Sequence, residues 1–138
     1  MIKIITGTAG SGKTKKLVQS ANEIAEKSNG FVVAIDKGEK LTHDFSHSVR
    51  FVDSDDYFII NYSILFGFLS GICAGNYDVT DIFVDNTFKI CGKYLEEFTE
   101  FLKKINIMSR KHNVNFIFTV AADASELPEN ITAIAEID

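Results

Sequence analysis

Eight residues near the start of the chain constrain its fold more than any other feature: Gly7-Thr8-Ala9-Gly10-Ser11-Gly12-Lys13-Thr14. A mostly apolar run, Ile2 to Thr6, precedes them. After them, Thr14 to Ser28 repeats apolar residues at helical spacing, with Leu17, Val18, Ala21, Ile24 and Ala25 on one face. A strand passing into a helix through three glycines can bend so that consecutive N–H groups point inward. The positive end of the helix lies under the same spot, so the turn is built for an anion. The spacing G-x-x-x-x-G-K-[ST] adds Lys13, a mobile cation suited to β and γ phosphates, and the Thr14 hydroxyl, suited to magnesium.

The rest of the chain alternates short apolar runs with helical patterns. Strands are predicted at Ile2–Thr6, Phe31–Ile35, Val49–Val52, Ile82–Asp85 and Phe116–Ala121, with an edge strand within Ile134–Ile137. Helices are predicted at Thr14–Ser28, Asn61–Ala74 and Tyr94–His112, the last with Leu95, Phe98, Leu102 and Ile105 facing inward. Such alternation predicts an α/β chain, a three-layer αβα sandwich around a mostly parallel sheet of five or six strands. One domain accounts for all 138 residues.

Composition narrows the partners. A net charge of −5 with only two arginines, Arg50 and Arg110, argues against a nucleic-acid backbone as the main partner. Two cysteines, Cys73 and Cys91, are too few for a disulfide framework or a four-cysteine zinc site and read as reduced thiols. The glycine-rich loop begins too close to Met1 for a signal peptide, so a cytoplasmic location is expected. Tyr57 to Tyr77 carries no charged residue and is long enough to span a bilayer. Asn61, Ser63, Gly67, Ser70, Gly71, Gly75 and Asn76 dilute it, and a helix packed on the sheet is the expected reading, without membrane contact.

The loop, with strand before and helix after, resembles that of the P-loop NTPase superfamily. The resemblance implies the P-loop NTPase fold over residues 1–138 and a nucleotide triphosphate held by Gly7, Thr8, Ala9, Gly10, Ser11, Gly12, Lys13 and Thr14. An apolar strand ending in Asp85 matches the Walker B element, whose aspartate helps hold Mg²⁺ together with Thr14. An aspartate after a strand also starts turns; the complete loop upstream favours the magnesium role. The order of elements is similar to RecA-like ATPases and to the zinc-bearing thymidine kinases, although the zinc cysteines are absent. Guanine recognition usually needs an N-K-x-D element, and Asn-Lys does not occur, which favours ATP.

The chain departs from the superfamily at position 86. In the hydrolytic branch with an added strand, a glutamate often follows the Walker B aspartate and polarises the attacking water. Here Asn86 stands there, and an amide orients water without taking its proton. Slow hydrolysis is therefore expected, and Asn86→Glu is expected to raise it where the geometry is otherwise intact. Asp36, Asp53 and Asp123 also lie near strand ends and form, with Asp85, a ring of candidate carboxylates on one rim. Asp53 is the favoured catalytic candidate among the three, with Asp55, Asp56 and Glu39 as further bases. Lys37, Lys40, Lys89 and Lys93 are candidate cationic helpers or plain surface lysines. His43, His47 and His112 form no metal pattern.

Three functions stay open on these residues. One is a Mg²⁺-dependent NTPase, with Lys13, Asp85, Asn86 and Asp53 as its catalytic candidates. The second is a nucleotide-sensing subunit without hydrolysis. The third is a small nucleoside-kinase-like phosphotransferase with an acceptor pocket near Asp53 to Tyr57. The uncharged segment is also expected to leave Tyr62 and Phe66 pointing away from the sheet. Ile60, Ile64, Phe68 and Ile72 are expected along the stripe facing it, with Asn61, Leu65 and Leu69 beside them, so that Tyr57–Tyr77 offers an interface for a homodimer or a protein partner.

Overall fold

Helical and strand periods alternate along the sequence, and a computed structural model describing residues 1–138 follows that alternation. Strand β1 (Ile2–Gly7) leads into α1 (Lys13–Lys27), then β2 (Phe31–Asp36), β3 (Val49–Asp53), α2 (Tyr62–Gly75) and β4 (Val79–Val84). After these come α3 (Thr87–Cys91), α4 (Leu95–His112), β5 (Asn115–Ala121), α5 (Glu129–Thr132) and β6 (Glu136–Ile137). The six strands form one sheet in the order β3-β2-β4-β5-β1-β6, every neighbouring pair parallel. Strand β5 therefore separates β1 from β4.

Both faces of the sheet are apolar because both are covered. On one face Ile5, Val32, Ala34, Phe83 and Ile117 pack against Leu17, Ala21 and Ala25 of α1 and against Leu41 and Phe45 of the β2–β3 loop. On the other, Ile4, Val33, Ile35, Val84 and Phe118 meet α2, α4 and α5. The centre of this second layer is aromatic. Phe98 lies 5.7 Å from Tyr62, 5.2 Å from Phe88 and 6.4 Å from Phe118, measured between ring centres.

Helix α2 is turned by about one residue from the face its sequence suggests: Phe68 and Ile72 still pack against the core, but the buried stripe runs through Leu65 and Leu69. Asn61 caps it, accepting a 2.9 Å bond from the Ile64 amide, and Tyr62, Leu65, Leu69 and Cys73 form the buried stripe. Tyr62, expected to point outward, is 5% exposed, and its hydroxyl donates to the Gly92 carbonyl at 2.6 Å. That bond satisfies the one polar atom that would resist burial. Phe66 is half-buried at the edge of the core. Ile60 and Ile64, expected to face the sheet, are 66% and 39% exposed. No helix is long and apolar enough to cross a membrane. The short helices α3 and α5 carry too few turns to leave a periodic signal.

Truncating the ring at the aromatic centre, Phe98→Ala, is expected to cost about 3–5 kcal/mol of stability in a urea titration.

Candidate functional site

Period-two alternation fixes which face the site occupies. In β2, β4 and β5 the residues Val32 and Ala34, Phe83, and Ile117 pack on the α1 side. The same alternation carries Asp36, Asp85 and Thr119 to that side, at or near the carboxyl ends of their strands. Register places Ile35 beside Val84, so Asp36 and Asp85 follow as neighbours, joined by an Asp85 N–H to Ile35 carbonyl bond of 2.8 Å.

The loop between β1 and α1 closes the site from above. Gly7 has φ +148°, and a Cβ there would collide with the Ser11 hydroxyl. Gly12, at φ 90°, is the N-cap of α1 and offers no side chain to the helix end. The first amides of α1 have no partner within the helix and no capping side chain, which leaves them for an anion. Lys13 is nearly buried, and its ammonium donates to the Thr8 carbonyl at 2.8 Å.

Asp85 is the hub. It is completely buried. Its Oδ2 accepts from the Thr14 hydroxyl at 2.8 Å and from Asn86 Nδ2 at 3.1 Å; its Oδ1 accepts from the Thr119 hydroxyl at 2.5 Å. Thr119 in turn accepts the Asn86 backbone N–H at 2.8 Å. All of these donors are neutral, and Asp85 is in none of the ion pairs. Three neutral side-chain donors therefore satisfy the Asp85 carboxylate without an ion pair. Its donor set, one carboxylate and one threonine hydroxyl beside the uncapped N-terminus of α1, fits Mg²⁺, a hard cation that keeps most of its waters.

Asn86 links a second carboxylate to the first. Its Nδ2 also donates to Asp36 Oδ1 at 3.2 Å, and its backbone is left-handed at φ 52°, a conformation asparagine tolerates. Burial holds the Asp36 carboxyl above the usual aspartate range. The Asn86 bond and the Lys37 backbone bond pull it back in part, the nearby Asp85 charge adds to the rise, and the Lys89 charge opposes it. In this setting Asn86→Glu would remove the donor between two buried carboxylates and add a third negative group.

The carboxylate ring read from the strand ends does not converge. No group of three or more His, Cys, Asp or Glu residues is arranged to hold a metal. Asp53 Oδ1 accepts the Gly38 and Asp55 amides at 2.8 and 2.9 Å, so it fastens the loop after β2 and caps the turn Ser54–Tyr57. Asp123 caps the turn Ala124–Glu126. Lys37 pairs with Asp55 and Lys93 with Glu126, each at 2.7 Å. The two cysteines are buried, and burial pushes the Cys91 thiol up to about 12. Thr119 carried a signal in the sequence: it is the one hydroxyl inside the apolar strand Phe116-Ile117-Phe118-Thr119-Val120. A cleft of about 520 Å³ opens beside Thr14, lined by Lys15, Val18, Gln19, Leu41 and Asp44. The larger grooves, between α2 and α4 and beside the β2–β3 loop, do not include the loop residues 7–14.

Neither a scan of protein-family models nor a search of curated proteins finds a match to this chain.

The raised Asp36 gives a stability test. A carboxyl whose folded pKa lies above its unfolded value costs stability when ionised, and the cost fades as pH falls through the folded value. The metal-free Asp36→Asn protein is therefore expected to melt a few degrees above the wild type at pH 7, with the gap closing toward pH 4. Differential scanning calorimetry at both pH values checks this.

Proposed function

We propose that this chain is an ATP-binding P-loop protein, a Mg²⁺-dependent NTPase with slow intrinsic hydrolysis. The observation that carries the reading is the 2.8 Å bond from Thr14 to Asp85, residues 71 positions apart. It joins the helix end of the glycine loop to the strand end of a buried carboxylate. In P-loop proteins these two positions serve one magnesium ion. The order of strands supports the same reading, since β5 stands between β1 and β4 as in the branch with the added strand.

Each residue then has a task. The amides from Gly10 to Thr14 cradle the phosphates, and Gly7 lets the strand turn into the loop. Lys13 exchanges the Thr8 carbonyl for β- and γ-phosphate oxygens. Thr14 and Asp85 would hold Mg²⁺, Thr14 through its hydroxyl. Three neutral donors already engage Asp85, so it suits contact through the ion's bound water. Magnesium supplies charge neutralisation on the phosphates. Asn86 holds strand ends together and leaves no acid at the position after Asp85, which supports slow turnover. The same bond network favours a second reading, a nucleotide-sensing subunit that binds without turnover.

The uncharged α2 region supports a partner. Tyr57, Phe58, Ile60 and Ile64 are 47%, 80%, 66% and 39% exposed and follow one another from the end of β3 into α2. Exposed apolar side chains gathered in this way suit a homodimer or protein interface. The face offered differs from the Tyr62 and Phe66 pair read from the sequence.

Lys13→Ala is expected to weaken Mg·ATP binding at least tenfold in calorimetry, because a charge-assisted phosphate contact contributes about 1.5–3 kcal/mol. Unchanged affinity would count against the site. The purified wild type is expected to release phosphate below about 1 per second, under the usual enzyme range. A malachite-green assay showing turnover well above that would remove the claim of slow hydrolysis.

A further inference from the structure

We propose that the free edge of β3, with the loop before it, is a docking groove for an extended acidic segment of a partner protein, which adds to the sheet as one more strand.

The edge is open. Strand β3 pairs with β2 alone and stands at one end of the sheet. Alternate residues of such a strand turn their N–H and C=O groups outward, where an added strand can bond them. A groove of about 790 Å³ lies here. Val49 and Phe51 belong to the α1 layer, and alternation places Arg50 on the opposite face, yet all three line this one groove. It therefore follows the edge of the strand rather than either face of the sheet. The five residues of β3 include no proline or lysine, and their pairing with β2 has no bulge, so the usual guards of an edge are missing. At roughly 3.3 Å per residue they offer about 16 Å of edge, the span of a five- or six-residue segment.

The walls select the occupant. His43, His47 and Arg50 line the groove and no Asp or Glu does, in a chain with 19 acidic residues and 14 lysines and arginines. All three are exposed, and Arg50 is in none of the ion pairs. Its planar guanidinium is free for a carboxylate. Phe45 and Phe51 stack with ring centres 5.6 Å apart and give the groove an apolar floor for alternate side chains of the incoming strand.

The walls are also preformed. Asn22 of α1 accepts the Ser46 amide at 2.8 Å and donates to the Asp44 carbonyl at 3.0 Å, and the Val49 amide bonds the Ser46 carbonyl at 3.1 Å. Docking therefore does not have to order the loop. A second copy of the chain fits less well. Antiparallel pairing of β3 with β3 sets two groups of His43, His47 and Arg50 against each other, and the other edge, β6, offers two residues to the five of β3.

The test uses two fluorescein-labelled six-residue peptides, one alternating glutamate with valine and one alternating lysine with valine. In fluorescence anisotropy the glutamate peptide is expected to half-saturate the wild type below about 1 mM. The lysine peptide is expected to bind at least about tenfold more weakly. With the glutamate peptide bound, amide hydrogen exchange followed by NMR is expected to slow at alternate residues of Val49–Asp53, the mark of an added strand. Arg50→Glu is expected to weaken the glutamate peptide at least about tenfold and to strengthen the lysine peptide. His47→Ala, expected to weaken the glutamate peptide about threefold, decides the matter if Arg50→Glu fails to fold. No binding of the glutamate peptide, equal binding of the two peptides, or slowed exchange confined to residues outside β3 overturns the assignment. So does wild-type affinity for the glutamate peptide in Arg50→Glu, or in His47→Ala when that variant decides. A wild type that sediments as a dimer with the same β3 amides already protected also overturns it, because a second copy then fills the edge.

Discussion

The buried carboxylate of Asp85 is the constraint on which the arrangement of the site depends. A full negative charge without exposure needs several donors at once, and here three side chains supply them: Thr14 from α1, Thr119 from β5 and Asn86 from the turn after β4. Those three come from separate elements, so satisfying one carboxylate sets the relative positions of a helix and two strands. Hydrogen bonds to a charged group contribute about 1.5–3 kcal/mol each, and leaving one unmade costs as much or more. The glycine loop is thereby held above the strand ends rather than left to choose its own angle.

This same network explains why the strand-end carboxylates serve different ends. Asp85 and Asp36 share the Asn86 amide, which keeps two like charges apart while holding both at the rim. Asp53 and Asp123 accept backbone amides and shape turns. A cluster that looks uniform in sequence therefore divides into a buried pair and two peripheral caps.

Much of the architecture was legible in the sequence because its signals are local. The glycine spacing marked the β1–α1 loop, apolar runs marked the strands, and the 3.6-residue period marked α1 and α4. The edge strand near Ile137 was read from four residues and forms over two of them. What stayed hidden depends on distant contacts. The face of α2 turned by about one residue because Tyr62 finds the Gly92 carbonyl, 30 positions away. Asn86 was read only beside its sequence neighbour Asp85, while its other carboxylate partner, Asp36, is 50 positions back. Thr119 bonds Asp85 across 34 positions, and no spacing rule anticipates that. The exposed group from Tyr57 to Ile64 was foreseen as a region, but its individual residues were not.

The central claim is that the loop Gly7–Thr14 holds the phosphates of a Mg·nucleotide over Asp85. A structure of the wild type with Mg²⁺ and a non-hydrolysable ATP analogue tests it most directly. The expected result has the β and γ phosphates within hydrogen-bond reach of the amides from Gly10 to Thr14, with the Lys13 ammonium moved off the Thr8 carbonyl onto them. A nucleotide bound elsewhere, or Lys13 still on Thr8 with the analogue present at saturating concentration, would contradict it.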